Sequence, residues 1–348
     1  MFPRSFSIPL LFSSAISKTA IIFSVLTILV SVVGSSANAK DLLLVTNKGD
    51  RTLSLIDPVS HEQIATIAEE GVTGHEVATS VDGHTAYVPI YGDSGVGKPG
   101  SDGQMIRFID LKKRKISGTI DLNRGLRPHC AVMNARTGLL YVTIENDNAV
   151  EVIDPRELQV LGQIPTGKPQ SHMLAVTKDG LLGYTANVST GTVSVLDLEH
   201  RKLLQVIDVC HMTQRISLSV DDKWVFTSDQ LYPQLAIIDA AKREVTGWIP
   251  LPASGYGTAP TPDGKYLVVA MPQANKVAVV DLQSHAVVHV LDAPKAPQEV
   301  LVRPDGKYAY VSCDASKQVI AIRTSDWKVE KQIDVGTGAD GLAWAETK

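Results

Sequence analysis

From residue 42 to the end of the chain, short runs of alternating apolar and polar residues recur between turn signals, a period of two that predicts half-buried β-strands. One hairpin is repeated. It reads Val81-Asp82-Gly83-His84-Thr85-Ala86-Tyr87-Val88, then Thr261-Pro262-Asp263-Gly264-Lys265-Tyr266-Leu267-Val268, then Arg303-Pro304-Asp305-Gly306-Lys307-Tyr308-Ala309-Tyr310. Looser copies stand at Lys178-Asp179-Gly180, Val220-Asp221-Asp222-Lys223 and Arg136-Thr137-Gly138. In each, Asp and Gly supply the backbone conformations of a tight turn between two short apolar strands.

A third strand follows each hairpin and ends in Asp, as in Leu53-Ser54-Leu55-Ile56-Asp57, Val150-Glu151-Val152-Ile153-Asp154 and Val277-Ala278-Val279-Val280-Asp281; the seventh copy ends in Arg323. From Asp154 onward these ends are 43, 42, 42 and 42 residues apart. An Asp recurring once per period is expected to form a turn by accepting hydrogen bonds from the next backbone amides, not to catalyse. A fourth strand, such as Gln63-Ile64-Ala65-Thr66-Ile67, completes the unit. Four antiparallel strands per period of about 42 residues describe a β-propeller blade. The first unit lacks its innermost strand, and Gly341-Leu342-Ala343-Trp344-Ala345 is left over at the C-terminus. Pairing the two ends completes a seventh blade and removes two free sheet edges. The expected fold is all-β: a seven-bladed β-propeller of four-stranded antiparallel blades, closed by the N- and C-terminal strands in one blade.

Leu44-Val45-Thr46-Asn47 followed by Thr52-Leu53-Ser54-Leu55-Ile56-Asp57, with the Pro-Asp-Gly-Lys hairpins, resembles the YVTN-repeat β-propeller family over essentially all of residues 40–348. The resemblance implies a secreted, periplasmic or surface propeller. More distantly the chain is similar to lactonase-like propellers and to the cytochrome d1-type heme propeller of nitrite reductase. Fold likeness alone supplies no reaction.

The first 39 residues stand outside the repeat. They carry Arg4 and Lys18, no acid, an apolar run over residues 20–33 and then Ala37-Asn38-Ala39. This is the pattern of a signal peptide cleaved after Ala39, which predicts a periplasmic or secreted protein of 309 residues. The run is shorter than the roughly 20 residues a spanning helix needs, and no later segment approaches that length, so no membrane span is expected after cleavage. The 33 basic and 37 acidic residues leave no overall basic field, and nucleic acid is not an expected partner. Cys130, Cys210 and Cys313 are odd in number and form no Cys-x-x-Cys-His, which argues against a disulfide framework and against covalent heme c.

The repeat brings one further pattern into view. Twelve residues before the second-strand reference positions (Tyr87, Tyr141, Tyr184, Phe226, Val268 and Tyr310) stand His75, His129, His172, Gln214, Tyr256 and Gln298, and the same spacing continues to Asp340. The intervals are 54, 43, 42, 42, 42 and 42. This position opens the innermost strand, so the seven side chains are expected to ring one mouth of the central channel. Three of the nine histidines fall there in consecutive blades, with His211 in the loop entering the fourth blade as a candidate fourth. Imidazole suits zinc, copper or iron, and three imidazoles with an open position suit water activation or substrate binding. Glu76 is the candidate general base if it reaches the site, with Arg215 also adjacent, although strand alternation would aim both away from the axis. Lactonase-like propellers, by resemblance, bind an organic substrate at such histidines. Polar side chains lining a wet channel are the plain alternative.

Three functions remain open: a binding propeller holding a metal ion or small ligand, with or without an envelope partner; a lactonase-like hydrolase or metal-dependent oxidoreductase at the same mouth; and a pure interaction scaffold. Residues 91–103, rich in Gly, account for the long first interval and are expected to lie over His75 as a lid, with Asp93, Lys98 and Asp102 reaching inward. Gly92-Asp93-Ser94-Gly95 lacks the context of a protease nucleophile, and Gly95-Val96-Gly97-Lys98 lacks the spacing of a phosphate loop. Asn187-Val188-Ser189 is a formal glycosylation acceptor.

Overall fold

A computed structural model describes residues 41–347, which form seven four-stranded antiparallel sheets. The expected export segment and its cleavage point lie outside the described residues. Blades 1 to 6 begin at inner strands Ala78–Thr79, Pro128–Asn134, Ser171–Val176, Ile216–Leu218, Thr258–Pro260 and Pro297–Val302. Blade 7 takes its inner strand Ala339–Ala345 from the C-terminus and pairs it with Leu42–Asn47. Each inner strand touches the next, and that of blade 7 touches that of blade 1, which closes the ring. No helix among the described residues is long and apolar enough to cross a membrane.

The third strands depart from the half-buried expectation. Thr52–Asp57 and Thr192–Asp197 are buried at all but their ends, because neighbouring blades cover both faces. Their polar alternates are therefore inside and must be paired. Ser54 Oγ accepts from Asn47 Nδ2 at 2.8 Å, Ser194 Oγ accepts from Asn187 Nδ2 at 2.8 Å, and Glu151 accepts from Gln163 at 2.8 Å. Alternation survives in the outermost strands, such as Glu244–Pro250, which face solvent on one side. The register between third and fourth strands slips once in every blade, as between Leu55 and Ile56 or Val195 and Leu196, a bulge that increases twist.

The repeated Asp residues act as turn formers. Asp57 accepts from Val59 N at 2.8 Å, Asp110 from Lys113 N at 2.7 Å, and Asp239 from Lys242 N at 2.9 Å. Asn187 is fully buried, so its amide is closed to glycosylation in the folded chain. Apolar clusters lie between blades: one joins Val268 and Val279 of blade 5 to Val311 and Ile320 of blade 6.

Candidate functional site

The histidine row opens the inner strands, and in blades 2, 3, 6 and 7 the strand bulges there. Register slips between Pro128 and Ala131, between Ser171 and Met173, and between Pro297 and Val300, while the blade-7 pairing slips around Asp340. A bulge suspends strict alternation, so two successive residues can serve one side of the strand. The bulge serves Glu299 and Asp340 in this way, while Glu76 and Arg215 lie just ahead of the short paired strands Ala78–Thr79 and Ile216–Leu218, where no ladder enforces alternation, and the four side chains meet.

Two layers result. In the first, imidazoles from blades 1, 2 and 3 pack around Tyr91. The Tyr91 ring lies 4.7 Å from that of His75, 4.9 Å from His129 and 6.0 Å from His172 between centroids. His129 and His172 stack at 3.5 Å, with His75 at 5.5 Å from His129. His129 is 1% exposed and His172 2%. Burial brings the His75 pKa down to about 4 and holds the other two well below the usual imidazole range, with their neighbours' positive charge adding to the effect. His75 Nε2 donates to Gly92 O at 3.1 Å, and Gln214 donates to His172 Nε2 at 3.1 Å while accepting from Gln230 at 2.9 Å. Nδ1 of His129 and Nδ1 of His172 are buried without a partner.

In the second layer Arg215, 3% exposed, ties distant blades together. Its guanidinium meets Glu299 of blade 6, donates to Asp340 of blade 7 at 2.8 Å, and lies over the Tyr256 ring at 5.2 Å. Glu76 Oε1 stands 2.6 Å from it without the alignment of a hydrogen bond. Lys48 pairs with Asp340 at 3.0 Å and with Asp314 at 3.4 Å. Burial pushes the carboxyls of Glu76 and Glu299 up, against the pull of Arg215; at Asp340 the same burial is outweighed by Lys48 and Arg215, and its pKa falls to about 2. Burial raises the Tyr256 phenol to about 12.

The structure thus brings together His75, His129, His172, Gln214, Arg215, Glu76 and Asp340. Tyr256 joins through Arg215. Gln298 is half-buried, and its carbonyl accepts from Gly257 N at 3.2 Å. Glu76 has Arg215 for its partner and no hydrogen bond to any of the three imidazoles. His211 does not join them: its side chain is 61% exposed, 3.3 Å from Asp229 and 4.7 Å from the Tyr232 ring. Among the described residues no three His, Cys, Asp or Glu side chains are arranged to hold a metal ion.

Residues 91–103 do lie over His75, through Gly92 O, but Asp93, Lys98 and Asp102 do not reach the imidazoles. Asp93 accepts from Ser101 N at 2.7 Å, and the Lys98 carbonyl and Asp102 both accept from Arg127. Arg127 also reaches Ser94 Oγ at 2.7 Å and Glu145 at 3.2 Å, and Gly97 N donates to Glu145 at 2.9 Å. The Tyr91 hydroxyl donates to Glu145, and burial with that bond pushes its pKa up. Tyr91, Arg127, Glu145 and Lys48 escaped the sequence reading. The available signal was the position of Tyr91 at the root of the one insertion, on the end of the blade where the histidine row begins.

A comparison with curated proteins returned no match. Among solved structures the chain is similar to Kuenenia stuttgartiensis hydrazine synthase, with a TM-score of 0.71 and 19% identity over 82% of this chain and 92% of that one, a likeness of fold. The profile of the cytochrome D1 heme domain matches residues 133–346. With more than half of its length matched to that profile, the chain belongs to the cytochrome D1 heme domain family.

Proposed function

We propose that this chain is an exported, periplasmic or secreted propeller that binds a small ligand or a transition-metal ion at its histidine mouth. The observation that carries this reading is the pair of buried Nδ1 atoms on His129 and His172 that no protein group satisfies. A buried polar atom without a partner costs about 1–3 kcal/mol, a cost that a bound ligand or ion supplying the missing partner removes. All three imidazoles are neutral, the state that ligation of zinc, copper or iron requires. Because His172 Nε2 accepts from Gln214, its Nδ1 carries the ring proton and offers a hydrogen bond to a ligand, which leaves His129 Nδ1 as the atom for an ion. The repeat signature supports a YVTN-type propeller within the family.

The family name brings a heme into consideration, and the residues here do not fit one. The His129 and His172 rings are stacked, Tyr91 fills the space among the imidazoles, and Arg215 spans the channel beneath. Even a Cβ on Gly341 would come within 2.6 Å of the Glu76 Cα and the His75 carbonyl oxygen. An interior packed to this density has no slot for a macrocycle. A catalytic role for Glu76 likewise gains no support, since its carboxylate is committed to Arg215.

The test is elemental analysis of tag-free protein, followed by calorimetric titration with Zn2+ and Cu2+ and a ligand screen that includes lactones. We expect one retained or titratable ligand per chain, weakened at least tenfold in His129→Ala and His172→Ala. Metal-free protein whose variants match the parent throughout the titrations and the screen would sink the proposal.

A further inference from the structure

On the face opposite the histidines, every blade turns from its third to its fourth strand through a residue with φ between 52° and 58° that is not glycine. In blade 1 this residue is Arg114, which donates to the Ile64 carbonyl of blade 7 at 3.4 Å; in blade 3 it is Arg201, which donates to the Leu161 carbonyl of blade 2 at 2.8 Å. In blade 7 it is His61, edge-on to Tyr308 of blade 6 at 5.0 Å, and in blade 6 it is Trp327, edge-on to Tyr266 of blade 5 at 5.3 Å. Each is a latch over the seam with the preceding blade. In blade 4 the residue is Arg243, whose carbonyl accepts from Gln205 of blade 3 at 3.0 Å, and in blade 2 it is Leu158, whose methyl groups lie beside Gly118 of blade 1.

Blade 5 is the exception. Its residue, His285, is exposed and makes no hydrogen bond, ion pair or ring contact with blade 4. Beneath it the seam opens into a cavity of about 650 Å³ walled by Trp224, Phe226 and Tyr266 and edged by Asp221, Asp263 and Asp281; Lys223 pairs with Asp221 at 2.9 Å and Lys265 with Asp263 at 3.7 Å, which leaves Asp281 as the carboxylate in excess. The cavity reaches Phe226, a core residue that is 2% exposed.

We propose that this unlatched seam is a docking seat for an arginine side chain presented by a partner protein. The equivalent turn position carries Arg in three other blades, so the seam geometry accepts that side chain. Its aromatic walls suit a guanidinium, which stacks on ring faces as an ammonium does not, and the excess of carboxylates supplies charge complementarity. The seat is independent of the histidine mouth.

The probe is acetyl-Gly-Arg-Gly-amide, titrated calorimetrically into the full mature chain, with the lysine peptide as control. We expect millimolar binding to the parent, at least fivefold weaker binding of the lysine peptide, and at least tenfold loss in His285→Arg, which fills the seat from within. Arg occupies the same backbone conformation in blades 1, 3 and 4, so this variant is expected to keep the parent's Tm. Trp224→Leu, which removes a wall and leaves the turn intact, is expected to lose binding to the same extent. Undetectable binding to the parent, equal binding of the lysine peptide, or unchanged binding in both variants would overturn the seat.

Discussion

Glu69 shows how a single buried carboxyl sets a pH dependence. It is fully buried, its Oε2 accepts from Gly74 N at 2.7 Å, and its Oε1 has no partner. Burial raises its pKa to about 7, against the smaller opposing effect of that hydrogen bond. An acid whose folded pKa lies above its unfolded value holds its proton more tightly in the native state. Its contribution is fully present below the unfolded pKa near 4.5 and is lost as pH rises through 7. Glu69→Gln keeps the acceptor for Gly74 and abolishes the titration. We expect the variant to be more stable than the parent at pH 8, by roughly 3 kcal/mol for a shift of this size, and close to it at pH 4.5. Urea denaturation at both pH values decides the matter, and an equal difference at the two pH values would refute the assignment.

At the scale of the strand, the motif that made the repeat recognisable is a hydrogen-bonded knot. Asn47 Nδ2 reaches Thr52 Oγ1 at 3.0 Å and Ser54 Oγ at 2.8 Å; Asn187 Nδ2 reaches Thr192 Oγ1 at 3.0 Å and Ser194 Oγ at 2.8 Å. Asn187 Oδ1 also accepts from Ser171 Oγ at 2.6 Å, which anchors the bulged start of the inner strand beside His172. Asn187→Ala therefore leaves several buried hydroxyls short of a partner, and a loss of about 2–4 kcal/mol is expected in chemical denaturation. Asn187→Asp retains the acceptor and loses the donors, and is expected to fare no better. A change below about 0.5 kcal/mol in both would show that the knot is dispensable. Such devices explain what was legible in the sequence. Turn Asp residues, Asp-Gly hairpins and the histidine row are set by local chemistry that repeats with the period, so comparing copies exposes them. Tyr91, Arg127 and Glu145 belong to one insertion and its neighbours, with no second copy for comparison. Arg215 and Glu76 stood next to the row in the sequence, but alternation aimed them away; in the fold they precede the paired part of their short inner strands, so alternation does not govern them.

Across the whole molecule, closure of the ring and assembly of the site are one event. The C-terminal strand Ala339–Ala345 pairs with Leu42–Asn47 and also delivers Asp340, the shared anion between Lys48 and Arg215. Its backbone holds the site as well, since Gly341 N donates to the His75 carbonyl at 2.9 Å. Removing residues 339–348 would bare the edge of Leu42–Asn47 and uncover Leu43, Val45 and Tyr310 in the cluster that joins blades 6 and 7. A closed ring, unlike an open solenoid whose repeats can fray from an end, is expected to unfold in one cooperative step. We therefore expect a single calorimetric transition for the parent, and for the truncated chain either its disappearance or association through the bared edge, seen as oligomers in light scattering. Asp340→Asn separates the two contributions, because it keeps the strand and removes the charge. It is expected to retain the single transition at a lower Tm, since Arg215 and Lys48 lose a buried counter-ion. A truncated chain that stays monomeric and melts within a few degrees of the parent would mean that the blades hold the ring without the strand that closes it.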